Sequence, residues 1–251
     1  MKRDTWYRAT ALRVLTASAL VVAVLFTSVW FSGLALRHLD YGYAVFYHLL
    51  DIEQTIEQYA PQNRFRDGFE QTDAVQHRAL FRKIRMAIHD GGEGLEDIEY
   101  SLPDGRSVPL LHEAEIIHLQ SVARLFTGFD WLGWGLMLLL PMVLWSRCAA
   151  SSPLAPLRVV ATGLLLVVAG ITLLVFAFGP TRLFYLLHEW AFPPGEQWFF
   201  YYQDSLMTTL MQAPNIFGAI TVAWAFAAVV LFILIYGICR FLVAWCVARG
   251  A

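Results

Sequence analysis

The chain has 251 residues, of which 58% are hydrophobic and 15% charged, with a formal net charge of −2. A soluble domain carries about 25% charged and about 45–50% apolar residues, so this composition excludes a soluble globular fold. The near-neutral balance also lacks the bulk basic character of a nucleic-acid binder, and no nucleic-acid partner is expected.

The apolar residues gather in long runs with the charges between them, the pattern of a polytopic membrane protein. The first run, 14–36, holds 23 residues without a charge between Arg13 and Arg37. As a helix, 23 residues reach about 35 Å, enough for a hydrocarbon core of about 30 Å. Lys2 and Arg3 give this segment the basic start of a signal peptide. Its apolar stretch exceeds the roughly 7–15 residues of a signal core, however, and Trp30 and Phe31 stand where cleavage needs small residues. An uncleaved anchor is therefore expected.

The domain that follows, 37–126, reads as a small α+β unit. Amphipathic helices are expected at 51–58 and 73–88, the second ended by Gly91-Gly92. A hairpin is expected within 98–111, turning at Pro103-Asp104-Gly105. From Leu111 the pattern is helical again and continues into a second span at 127–146, which places His118 close to the outer membrane surface. A loop at 147–158 leads to a third span at 159–179. The segment 180–215 is dense in aromatics, including Trp190 and Trp198, and a fourth span follows at 216–239. The aromatics read either as an interfacial belt or as a wall for an acyl-bearing substrate, and the two readings are compatible.

Charge sets the orientation. With 1–13, 147–158 and 240–251 inside, the cytoplasmic parts hold Lys2, Arg3, Arg8, Arg13, Arg147, Arg158, Arg240 and Arg249 against one acid, Asp4. The short inner loop and both tails thus obey the positive-inside rule. The expected fold is a mainly α membrane protein, with four transmembrane helices and a small extracytoplasmic domain between the first two. Cys148, Cys239 and Cys246 all fall at expected cytoplasmic helix ends, so no disulfide framework is available outside.

All seven histidines lie in expected outer segments. Neutral imidazole is the usual general base near pH 7. His112-Glu113 with His118 does not make a zinc-peptidase motif, which needs histidines four apart on one helical face. Glu115 and His118 have the spacing of one half of a di-iron element, but such sites need two copies and two further glutamates. No metal site is expected. Neither a Gly-x-Ser-x-Gly elbow nor a phosphate-cradling glycine loop occurs, so no ATP or other cofactor is expected.

Two stretches carry a family resemblance. One is Leu110-Leu-His-Glu-Ala-Glu-Ile-Ile-His-Leu-Gln-Ser-Val-Ala-Arg-Leu-Phe126. The other is Leu187-His-Glu-Trp-Ala-Phe-Pro-Pro-Gly-Glu-Gln-Trp-Phe-Phe200, followed by Asp204-Ser-Leu206, Pro214 and Phe217. Both resemble the integral membrane family that includes the bacterial lipoprotein intramolecular transacylases. That family has a Glu-x-x-His signature before its second membrane helix and a His–Phe-rich–Trp–Asp–Leu signature between its third and fourth. The chain departs from the pattern at Ser121, where the signature carries an aspartate, and at Ala123, where a basic residue is common.

The resemblance implies an acyl shift in the bacterial cytoplasmic membrane, on its extracytoplasmic side. The sn-2 acyl chain of a diacylated lipoprotein moves to the α-amine of its N-terminal cysteine, giving a lyso-form lipoprotein. The implied partners are diacylated lipoproteins and membrane lipids. His118 and His188 are then the expected acid–base pair, with Glu115 one helical turn before His118 to fix its tautomer. Glu189 and Asp204 are further candidates for that support. Arg182, Trp190, Trp198 and Asp204 are the expected substrate-binding residues. The competing readings are a non-enzymatic envelope sensor or partner-binding protein, and an acyltransferase or hydrolase acting on another membrane lipid.

Overall fold

Lipid offers a backbone no water to bond, so an apolar run there takes the form that satisfies its own hydrogen bonds. A computed structural model of the chain describes residues 2–250; Met1 and Ala251, the ends of the expected cytoplasmic tails, lie outside the described residues. In chain order the elements are α1 (Lys2–His38), α2 (Tyr43–Leu49), α3 (Ile52–Tyr59), α4 (Ala74–His89), β1 (Glu99–Ser101), β2 (Ser107–Pro109), α5 (Glu113–Ala149), α6 (Leu157–Phe178), α7 (Pro180–Ala191), α8 (Leu206–Met211) and α9 (Asn215–Gly250). Among the described residues, four helices are long and apolar enough to cross a membrane: α1, α5, α6 and α9. The two strands pair antiparallel, with Tyr100 opposite Val108 and the Pro103-Asp104-Gly105 turn between them. Gly179, at φ +82°, ends α6 in a conformation that favours glycine.

The chain divides into two compact units. The membrane unit takes the segment up to Gly33, then Asp130–Leu183, then the chain from Ala225. Helix α6 contributes no buried side chain, as suits a helix whose apolar surface meets lipid. Leu20, Val24, Phe232, Tyr236 and Val243 pack as a core. Trp30, 1% exposed, donates its indole N–H to Asp130 at 2.9 Å and stands edge-on to Trp134 at 4.7 Å. Gly133 makes room for that indole, because a Cβ there would overlap the ring. Arg147 donates to the carbonyls of Arg13 (2.8 Å) and Pro153 (2.9 Å), giving this buried guanidinium backbone acceptors.

The second unit comprises Leu34–Phe129 and Phe184–Trp224. Its core joins Tyr43 and Tyr47 of α2, Ile52 and Ile56 of α3, Leu80, Phe81 and Ile84 of α4, and Tyr100 of β1. All six residues of α8 are buried in the same core, although they come about a hundred positions later in the chain. Two side chains seat α8 there: Tyr43 donates to the Leu210 carbonyl at 2.8 Å, and Gln212 donates to the Leu50 carbonyl at 2.8 Å and to Thr55 at 2.7 Å.

His77 shows what a core histidine does in this unit. The Thr72 hydroxyl donates to the Phe69 carbonyl at 2.6 Å, so its oxygen accepts from His77 Nε2–H at 2.7 Å. His77 Nδ1 is then the acceptor for the Tyr47 hydroxyl at 2.9 Å. The neutral ring satisfies both neighbours. Burial pushes its pKa down to about 4, against the opposing pull of Asp73.

Two outcomes follow from this packing. Gly133→Ala should lower the melting temperature of the detergent-solubilised protein, at an overpacking cost of about 1–3 kcal/mol; Gly135→Ala, with open space around it, should not. The His77 pKa lies below its unfolded value of 6.5, so the stability it supports is complete above that pH and lost as pH falls toward about 4. The loss is about 3 kcal/mol. Melting curves between pH 7 and about pH 4.5 should therefore slope less in His77→Gln, which starts from a lower melting temperature.

Candidate active site

Helix α5 opens with a capping interaction that decides the role of Glu115. Near the start of the helix, its carboxylate reaches back to accept the His112 N–H at 2.7 Å. The other oxygen accepts the Ser205 hydroxyl at 2.5 Å and the Met207 N–H at 3.3 Å. Ser205 in turn caps α8, accepting the Thr208 N–H at 2.8 Å. Glu115 is 1% exposed and ties the start of α5 to the start of α8. It does not bond His118. Its hydrogen bonds go to helix-end donors, and the carboxylate that meets His118 is that of Glu196.

One turn further along α5, His118 turns its Nδ1 to Glu196, 3.3 Å away. Glu196 stands after α7, and a tight turn brings it back: its N–H bonds the Pro193 carbonyl at 3.1 Å, with Gly195 at φ +86°. Its second oxygen accepts the Ser121 hydroxyl at 2.5 Å, and Ser121 accepts from Arg124 at 2.6 Å. A carboxylate oxygen accepts, so His118 carries its proton on Nδ1. His188 reaches the same tautomer by another route, since its Nδ1–H donates to the Phe184 carbonyl at 2.8 Å.

The two imidazoles share a neighbour. The Phe192 ring lies 4.7 Å from His118 and 5.4 Å from His188, centroid to centroid. Trp198 packs 4.8 Å from His188, and Phe200 lies 6.0 Å from His118. Both rings thus sit among aromatic faces, and among the described residues no group takes the Nε2 of either. An imidazole held in this way can receive a proton at Nε2 and pass it on.

The other expected site residues are placed differently. Trp198 belongs to this cluster, but Trp190 is 86% exposed. Asp204 is ion-paired to Arg64 at 2.9 Å, which fastens the chain ahead of α8. Arg182 is exposed and belongs to the membrane unit. Sequence reasoning singles out neither Glu196 nor Arg124, and favours Glu189 and Asp204 as supports instead. The available signal is the Pro194-Gly195 pair, which turns the chain straight after α7. Among the described residues, no three His, Cys, Asp or Glu side chains come together as a metal-binding group.

The family model for the lipoprotein intramolecular transacylase Lit matches residues 18–213. The chain belongs to this family. It is therefore an integral membrane acyltransferase, and its substrate class is lipoproteins. It is similar in fold to the in meso structure of the membrane integral lipoprotein intramolecular transacylase Lit from Bacillus cereus, a variant with one histidine replaced by arginine. That likeness has a TM-score of 0.67 over 97% of each chain, at 13% identity. No curated protein matches the chain.

The Glu115 clamp of this transacylase carries a direct expectation. Glu115→Ala removes the acceptor of the His112 and Met207 N–H groups and of the Ser205 hydroxyl, at about 1–3 kcal/mol for each left buried and unpaired. Thermal melting should show a large loss of stability. Any protein that still folds should keep the His118–Glu196 contact.

Proposed function

We propose that the enzyme moves the sn-2 acyl chain of a diacylated lipoprotein to the α-amine of its N-terminal cysteine, with His118 and His188 carrying the protons. The observation behind this reading is the pair of imidazoles flanking Phe192, each held at Nδ1 by an acceptor and open at Nε2. The chemistry needs two proton movements. An α-amine ordinarily titrates at about pH 7.7–8.0, so it is largely an ammonium at neutral pH and must first lose a proton. His188, fixed in its tautomer by the Phe184 carbonyl, takes that proton at Nε2.

The freed amine then attacks the ester carbonyl. A C–N bond forms, the nitrogen gives up a second proton, the bond to the glycerol oxygen breaks, and that oxygen must be protonated. His118 takes the proton from nitrogen and returns it to oxygen, while Glu196 offsets the charge on the ring in between. An ester becomes an amide, so the reaction runs without an external energy source or cofactor. Both reacting groups belong to one molecule, and orienting them is the enzyme's other task. The aromatic rings of Phe192, Trp198 and Phe200 give the acyl chains an apolar wall. The excess of arginines at Arg13, Arg147, Arg158, Arg240 and Arg249 supports a bacterial cytoplasmic membrane location with the histidines on the outer side, next to membrane lipids.

The test uses a host lacking its own lipoprotein N-acylation, with lipoprotein N-terminal peptides read by mass spectrometry. Wild type should give lyso-form product. His118→Gln and His188→Gln should each reduce it by about 100-fold or more, the usual worth of positioned acid–base catalysis. Diacyl-form lipoprotein alone from the wild type overturns the activity; undiminished lyso-form from either variant overturns its role.

A further inference from the structure

Two buried carboxyl groups flank the start of α5, and their surroundings differ in kind. Glu115 spends both oxygens on backbone N–H groups and a hydroxyl, the pattern of a structural clamp. The Glu196 side chain is also nearly buried, at 5% exposure, but among the described residues one of its oxygens meets only the His118 ring N–H. Its other oxygen receives the Ser121 hydroxyl, and Ser121 receives an N–H of Arg124. A buried carboxylate is costly unless its lone pairs are used, and breaking such an arrangement is costlier still. An arrangement that uses a serine, an arginine and a turn to bring one carboxylate to one imidazole calls for a reason beyond packing.

We infer that Glu196 is the positioning residue of His118, with Ser121 and Arg124 holding its carboxylate in place. The pairing keeps the His118 proton on Nδ1, presents Nε2 to the substrate, and supplies the counter-charge when the ring takes a second proton. The His118–Glu196 separation of 3.3 Å exceeds the roughly 2.7–2.9 Å of a charge-assisted bond, which leaves room for the contact to tighten as the ring becomes charged. Burial lowers the His118 pKa most; of the titratable groups acting on the ring, Glu196 from the turn after α7 favours its protonation and His188 from α7 opposes it. Phe192 and Phe200 stand beside the ring, 4.7 and 6.0 Å away centroid to centroid. Without Glu196, burial and the His188 imidazole would oppose protonation of the ring with no carboxylate to offset them. The inference rests on the reading of His118 as a proton carrier.

The experiment uses full-length protein and a synthetic diacylated lipopeptide, with Glu196→Gln, Glu196→Asp and Ser121→Ala beside His118→Gln. Two quantities are read from about pH 4 to 9, a span that reaches below histidine's ordinary range because burial lowers the His118 pKa. One is kcat and KM for lyso-form production. The other is the His118 titration by imidazole nitrogen NMR, assigned through its loss in His118→Gln. Glu196→Gln keeps the shape and removes the charge, so kcat should fall about 100-fold with KM little changed. The acid limb of kcat and the His118 midpoint should both move to lower pH. Glu196→Asp should recover part of each effect, and Ser121→Ala should shift both less than Glu196→Gln does.

Wild-type kcat and pH profile in Glu196→Gln overturn the inference. So does a loss of activity that leaves the His118 midpoint in place. The NMR reading needs no turnover: a shifted midpoint in a protein that makes no lyso-form supports the positioning role and overturns only the proposed reaction.

Discussion

The arrangement of the second unit depends on a carboxylate placed where water does not reach. Taking such a group to 1% exposure costs several kcal/mol unless its oxygens are filled, and Glu115 is filled by His112, Ser205 and Met207. Those donors are the beginnings of two helices, α5 and α8, about ninety positions apart in the chain. Once the carboxylate joins them, α8 is committed to the core built by α2, α3 and α4. The stretch between α7 and α8 is then held at both ends, at the Arg64–Asp204 ion pair and at the turn closed by Pro193 and Glu196. Glu196 meets His118 as a consequence of that seating.

Three histidines of the second unit show how acceptors and burial divide one side chain among different tasks. At His77 a hydroxyl bonds each nitrogen, so the ring is spent on the core and its protonation is suppressed. At His188 only Nδ1 is taken, by a carbonyl that can do nothing but accept. At His118 burial lowers the pKa as well, but the carboxylate on Nδ1 opposes that by favouring the charged ring, as a carbonyl cannot do to the same degree. Burial alone does not separate these cases, since His77 and His118 are both buried. The identity of the partner on Nδ1, and whether Nε2 is occupied, distinguishes a packing residue from one able to carry a proton.

The membrane unit answers a different requirement. Helix α6 is bare of buried side chains, as suits an apolar surrounding, and polar contacts tie other parts of the unit together. Trp30 with Asp130, and Arg147 with two backbone carbonyls, join helices far apart in the chain without leaving those groups to lipid. Small residues such as Gly133 let large rings approach the neighbouring backbone, which takes the place of a water-driven core.

Much of the fold is legible in the residue order because its causes are local. Uncharged runs longer than a bilayer mark α1, α6 and α9, and helical spacing marks α3 and α4. The Pro103-Asp104-Gly105 turn marks the hairpin. The continuity of α5 from the first signature into a membrane segment follows from the lack of any breaker but Gly128. Helix α2 and the six-residue α8 leave no such mark: both are shorter than the window over which periodicity is read, and α8, wholly buried, has no polar face to alternate with an apolar one. At the candidate site, the signature histidines His118 and His188 can be singled out from the chain alone, but their supports cannot. Glu115, one turn from His118, is the natural partner on a single helix; it serves α8 instead, and the carboxylate at His118 comes from Glu196, 78 positions away. Hydrophobic pattern is written along the chain and can be read there. Which acid meets which imidazole depends on where one turn aims a side chain after distant segments have packed, and only the tertiary structure decides that.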